Sequence, residues 1–130
     1  MKRTVLDTNA YTRLLAGDEK VLDAVGTAET VYMSIFVLGE LFAGFADGTK
    51  KRSNQDALDK FLRKPTVKTL NATSETAKVF GIVKQELETA GTPLPINDIW
   101  IASHTLETGS TLITYDPHFE KIAGLRLWEK

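Results

Sequence analysis

No cysteine occurs in the chain, so neither a disulfide nor a thiolate zinc site can hold it together, and a reducing compartment is allowed. Long apolar runs are missing too. Nothing approaches the roughly 20 residues of a membrane-spanning helix, and no membrane partner is expected. The opening Met1-Lys2-Arg3-Thr4-Val5-Leu6-Asp7 carries no signal-peptide core, so a cytoplasmic location is expected. Net charge is nearly absent, at −1, which removes any whole-chain attraction to a polyanion. With only two histidines, a metal site would have to be built from oxygen ligands.

What is present fits an ordinary globular protein. A length of 130 residues, 42% hydrophobic and 25% charged, is enough for a real core, and one domain spanning 1–130 is expected. Charge is uneven along it. Between Thr49 and Lys68 stand seven basic residues against two acids, Asp56 and Asp59, so Lys50, Lys51 and Arg52 are candidates for contact with a polyanion. A solvated helix face explains the same segment.

Short β-prone runs alternate with helical periodicities. Thr4-Val5-Leu6 reads as a strand that stops at Asp7-Thr8-Asn9 and feeds a helix through Tyr11, Leu14 and Leu15 to Gly17. A short helix over Lys20 to Ala28 and a strand over Thr30 to Met33 follow, with Ser34 as cap of a helix from Ile35 to about Asp47. In that helix Glu40 has Phe36 and Val37 one turn behind and Ala43 and Gly44 one turn ahead. A carboxylate on an apolar stripe is costly unless something polar meets it. Gly39 and Gly44 would let another element approach closely. A basic helix over Lys50 to Lys64 ends at Pro65, Thr66 to Leu70 alternates as a strand, and a long helix runs from Thr73 or Ser74 through Ala77, Val79, Phe80, Val83 and Leu87 to a Gly91 cap. A further helix begins at Asp98 and ends before Gly109. The runs Thr111-Leu112-Ile113-Thr114, leading to Asp116, and Leu125 to Trp128 close the sequence. The pattern predicts an α/β fold: a central, mainly parallel twisted sheet of about four or five short strands flanked by helices on both faces.

Four acids share a setting. Asp7 and Asp116 end apolar strands, Asp98 starts a helix and Glu40 lies on an apolar helical face, so all can converge on one edge of the sheet. Singly, each has a plain explanation as a turn residue or a helix-dipole partner. Together they could not all remain ionised without a compensating cation, and hard oxygen ligands suit Mg²⁺ or Mn²⁺. One or two such ions can activate water and hold a phosphodiester for hydrolysis.

The runs Leu6-Asp7-Thr8-Asn9, Gly39-Glu40-Leu41, Asn97-Asp98-Ile99-Trp100-Ile101-Ala102 and Thr114-Tyr115-Asp116-Pro117-His118-Phe119, in this order and spacing, resemble the PIN-domain ribonucleases. They are especially similar to the VapC toxins of bacterial type II VapBC toxin–antitoxin pairs. The resemblance implies that Asp7, Glu40, Asp98 and Asp116 are both the catalytic and the metal-binding acids, with Asn9 and Thr114 as polar support. It further implies Mg²⁺- or Mn²⁺-dependent endoribonuclease activity on RNA, tRNA or another structured RNA included, a homodimer, and a VapB-type antitoxin whose tail covers the site. Tyr115 and Pro117 depart from the pattern, where smaller or more basic residues are expected, and bear on substrate contact.

The alternative from another class is a catalytically silent PIN-like module that binds RNA or a protein. An aspartyl phosphatase built on Asp7 is disfavoured, because Asn9 stands where a second acid is wanted. His104 is open as core, surface or RNA-facing, and His118 as a solvated loop residue near a phosphate. Trp100 and Trp128 are expected to be packing anchors. Phe36, Phe42 and Phe45 divide between core and dimer interface.

Overall fold

A computed structural model describes residues 2–130. Five strands, β1 (Arg3–Leu6), β2 (Thr30–Ser34), β3 (Val67–Leu70), β4 (Thr111–Ile113) and β5 (Arg126–Leu127), form one sheet in the order β3-β2-β1-β4-β5. Every pairing is parallel. The helices are α1 (Thr8–Leu15), α2 (Glu19–Thr27), α3 (Ile35–Asp47), α4 (Lys51–Leu62), α5 (Ser74–Ala90) and α6 (Ile96–Glu107), and a 3₁₀ turn covers Pro117–Lys121. Val5, Leu6, Val31, Met33, Leu112 and Ile113 are fully buried, as expected for strands covered on both sides. Among the helices α1 packs on α2 and α3, α3 on α4 and α6, and α5 on α6.

Most elements form where local chemistry dictates. Ser34 caps α3 by accepting from Phe36 N at 3.1 Å, and α5 opens on a reciprocal Thr73–Thr76 capping box. It closes on Gly91, whose φ of +70° lies in the left-handed region that glycine enters without penalty. Beneath α5, Thr76 is buried where its hydroxyl closes the capping box and donates to Glu107 Oε1 at 2.7 Å. Two expectations need correcting. Helix α6 starts at Ile96, so Asp98 sits within its first turn instead of opening it. Gly39 and Gly44 face open space, so no element approaches either one closely.

The order of strands places the site. From β1 the chain winds one way to β2 and β3, then returns across the sheet to β4 and β5 on the far side of β1. The carboxyl ends of β1 and β4 therefore flank a topological switch point, where open α/β sheets form a crevice. Leu6 pairs with Ile113, and Asp7 N donates to Ile113 O at 3.3 Å, which brings the segments beyond both strands side by side.

Candidate active site

Asp7 follows β1 and is 6% exposed. Its Oδ1 accepts from Ala10 N at 2.8 Å, capping α1, while its Oδ2 accepts from the Thr114 hydroxyl. Thr114 follows β4, is itself buried, and accepts from Asp116 N at 3.0 Å. One hydroxyl thus ties the residues after β1 and β4 together, through the Asp7 carboxylate on one side and the Asp116 backbone on the other. Burial raises the Asp7 carboxyl above its ordinary range. The hydrogen bonds from Thr114 and Ala10 oppose that rise, and the charges of Asp116 and Glu40 add to it.

Asp116 caps the 3₁₀ turn, accepting from His118 N at 2.9 Å and meeting His118 Nδ1 at 2.7 Å. Partial burial pushes its carboxyl up, but the His118 backbone and ring pull harder and hold it below the ordinary value. Glu40, half-buried on α3, accepts from Thr8 Oγ1 at 2.5 Å, which supplies the polar partner that its apolar helix lacks. Asp98, in the first turn of α6, is pushed up to about 6, first by burial and then by the charges of Asp116, Glu40 and Asp7, with His118 pulling back. Carboxylates from β1, α3, α6 and the loop after β4 therefore share one electrostatic field.

The four acids lie within one another's electrostatic reach, and the Thr114 hydroxyl bonds to the Asp7 carboxylate and the Asp116 backbone. The plain readings of Asp7 and Asp116 as caps are observed as well: Asp7 Oδ1 accepts from Ala10 N and Asp116 Oδ1 from His118 N. Asn9 is exposed and lines a cavity beside Asp116 instead of bonding to an acid. Lys50, Lys51 and Arg52 are exposed at the start of α4 and, among the described residues, make no hydrogen bond or ion pair with the four acids. Trp100 stacks between Phe36 and Phe80, with centroids 4.8 and 3.9 Å away, and Trp128 Nε1 donates to Thr114 O at 2.6 Å, so both are packing residues. His104 is core, at 1% exposed, and His118 is exposed. Phe45 is buried, Phe36 half-buried and Phe42 exposed. The sequence reading missed Thr8, whose only signal was its place beside Asp7, and Arg13, which shares a helical face with Asn9 four residues earlier.

The donor set suits a hard divalent cation: every candidate ligand is a carboxylate oxygen, and their mutual repulsion at Asp98 is what such an ion relieves. As the side chains stand, no three His, Asp or Glu groups among the described residues close on a common point. Hydrogen bonds from Thr114, Thr8 and His118 occupy an oxygen on each of Asp7, Glu40 and Asp116.

The chain matches the PIN domain family over residues 4–125. Ribonuclease VapC2 of Rickettsia felis is 32% identical over 112 residues, covering 84% of this chain and 82% of that protein. Among solved structures, VapBC2 from Rickettsia felis bound to a promoter DNA fragment superposes with a TM-score of 0.85 at 27% identity, over 97% of each chain. DNA-bound VapBC from Salmonella typhimurium gives 0.86 at 25% identity, over 98% of each.

Proposed function

The chain belongs to the PIN-domain family, and from that premise we propose that it is a divalent-metal-dependent endoribonuclease acting as the toxin of a toxin–antitoxin pair. The observation that carries this reading is the gathering of Asp7, Glu40, Asp98 and Asp116 at the switch point, with the Asp98 carboxyl pushed up to about 6 by burial and its neighbours. These four acids would hold Mg²⁺ or Mn²⁺, one ion or two, which when bound lowers the pKa of water and stabilises charge on the phosphodiester. Thr114 keeps Asp7 and Asp116 in place, Thr8 orients Glu40, and His118 holds a proton at Nδ1 against Asp116. In hydrolysis the water oxygen joins phosphorus, the bond to the 3′ oxygen breaks and that oxygen takes up a proton.

The toxin reading is supported by the assemblies in which similar chains are found, since both structural relatives are VapBC complexes. A groove of about 790 Å³, lined in part by Leu14, Leu15, Leu22 and Phe61 with Lys60 and Lys64 beside them, suits an amphipathic acidic segment of an antitoxin. Exposed Ile35, Phe42, Ile82 and Ile96 support a homodimer. No described helix is long and apolar enough to cross a membrane.

The silent-module reading has one observation on its side, that no three candidate ligands close on a point. Cleavage of a labelled structured RNA by purified protein separates the two. The expected result is activity with Mg²⁺ or Mn²⁺ that is lost with chelator and in Asp98→Asn. Cleavage indifferent to both would overturn the metal-dependent acidic site, and no cleavage under any condition would overturn the nuclease reading and favour the module.

A further inference from the structure

Beside the acids lies a second feature that the cation chemistry leaves unused. A cavity of about 500 Å³ opens between α1 and the loop after β4, lined by Asn9, Thr12, Arg13, Tyr115 and Asp116. Asp116 is thus a wall shared with the acidic cluster, and Arg13 is the one cation of the lining among the described residues, with Lys130 Nζ outside it at 5.5 Å from the Tyr115 ring centroid. The Arg13 guanidinium carbon sits 4.1 Å from the centroid of the Tyr115 ring.

That ring is held from two sides. The Tyr115 hydroxyl donates to Asp18 Oδ2 at 2.8 Å, and the ring meets Trp128 edge-on with centroids 5.4 Å apart at 89°. Asp18 is itself anchored as the cap of α2, accepting from Val21 N at 3.1 Å. Arg13 Nη1 stands 3.6 Å from Asp18 Oδ2, near enough for attraction but beyond hydrogen-bond distance. Among the described residues its guanidinium donates no hydrogen bond within the chain, and its side chain is 53% exposed. The result is a guanidinium paired loosely with Asp18, laid on an aromatic support and lining a polar hollow, with its N–H donors open to a further acceptor.

Four carboxylates repel an incoming polyanion, so a strand that must lie across them needs a positive contact close at hand. We propose that Arg13, laid on Tyr115, receives a backbone phosphate of the RNA strand next to Asp116, with Asn9 and Thr12 completing that subsite. An arginine fork matches phosphate geometry in a way that a lysine ammonium does not, and a side chain already stacked gives up less freedom when it binds. The subsite gives Tyr115 a role that the bare acidic motif does not: it supports the residue that grips the strand. Lys50, Lys51 and Arg52 have no comparable setting.

This inference takes its ligand from the nuclease reading but does not depend on cleavage, so binding is measured in chelator. The probe is a fluorescein-labelled single-stranded 12-nucleotide RNA of mixed sequence, followed by anisotropy across a salt series. Arg13→Ala should weaken binding about tenfold and flatten the slope of log K against log salt by about 0.7, the loss of one phosphate contact on a single strand. Arg13→Lys should keep most of the slope while losing several-fold in affinity, and Arg126→Ala, in β5, should match wild type. If cleavage is present, Arg13→Ala should raise KM with kcat within about twofold. Unchanged affinity and slope in a folded Arg13→Ala protein overturn the proposal, as does wild type that cleaves RNA but shows no binding at tens of micromolar. Binding that depends on Arg13 without cleavage would sustain the proposal and overturn the nuclease reading instead.

Discussion

The carboxyl edge of the sheet has two halves that use their polar groups in opposite ways. Beyond β2 and β3, Ser34, His104 and Asn71 form a closed set. His104 Nε2 meets Asn71 O at 3.3 Å, which makes it the protonated nitrogen, and Nδ1 takes the Ser34 hydroxyl at 2.8 Å while Ser34 Oγ accepts from Phe36 N. Every donor finds an acceptor, and the imidazole is neutral. Beyond β1 and β4, four carboxylates meet with hydroxyl and imidazole partners but no lysine or arginine paired with any of them among the described residues. One half stabilises the fold. The other leaves the Asp98 carboxyl pushed up by burial and by the charges of Asp116, Glu40 and Asp7, repulsion that a bound cation would relieve.

Substitutions should separate the halves by sign. The largest effect is expected at Asp98→Asn or Asp7→Asn, which should lower RNA cleavage by about a hundredfold or more, the scale of removing one preorganised charge-stabilising group. In chelator at pH 7 the same Asp98→Asn protein should be more stable. With its carboxyl pushed from 3.8 up to about 6 and screened by solvent at a partly buried site, the ionised Asp98 costs about 1 kcal/mol, so the variant should melt about 4 °C higher. Ser34→Ala should do the reverse, costing about 1–3 kcal/mol through the lost α3 cap and the orphaned His104, with kcat unaltered. A Ser34→Ala protein that loses activity without losing stability would break the distinction.

The parallel α/β sheet and the places of Asp7 and Asp116 just beyond β1 and β4 were legible in the sequence, because strand ends fall on a common edge in any such sheet. So were the bounds of α3 and the Gly91 stop, which are set by residues next to each other. What was hidden depends on contacts across the chain. The hydroxyl that satisfies Glu40 comes from Thr8, the partner of His104 is Ser34, and the Arg13 support joins residues 13, 18 and 115. Local spacing carries no trace of such pairs. The density of Lys50, Lys51 and Arg52 was visible but could not say where α4 would point them.

Acid dependence gives a finer contrast. The raised Asp98 carboxyl means that its contribution is fully present below pH 3.8 and is lost as pH rises through about 6. Burial lowers His104, so its contribution is present above pH 6.5 and is lost as pH falls below it. Melting curves of the metal-free protein from pH 4 to 8 should therefore show a loss on the way up that Asp98→Asn removes, set against a loss on the way down that a well-packed His104→Gln removes. The smallest effect belongs to neither half. The Tyr11 hydroxyl is buried with no hydrogen-bond partner among the described residues and burial pushes its pKa up to about 12, so Tyr11→Phe should be neutral or stabilising by up to about 1 kcal/mol in chemical denaturation.

The most direct test is calorimetric titration of Mn²⁺ into wild-type protein and Asp98→Asn at pH 6 in two buffers of different ionisation enthalpy. A cation site built on these acids predicts micromolar-to-millimolar binding that releases protons from the half-titrated Asp98, with both the binding and the release diminished in the variant. Equal Mn²⁺ binding by the two proteins, or none by wild type, would contradict it.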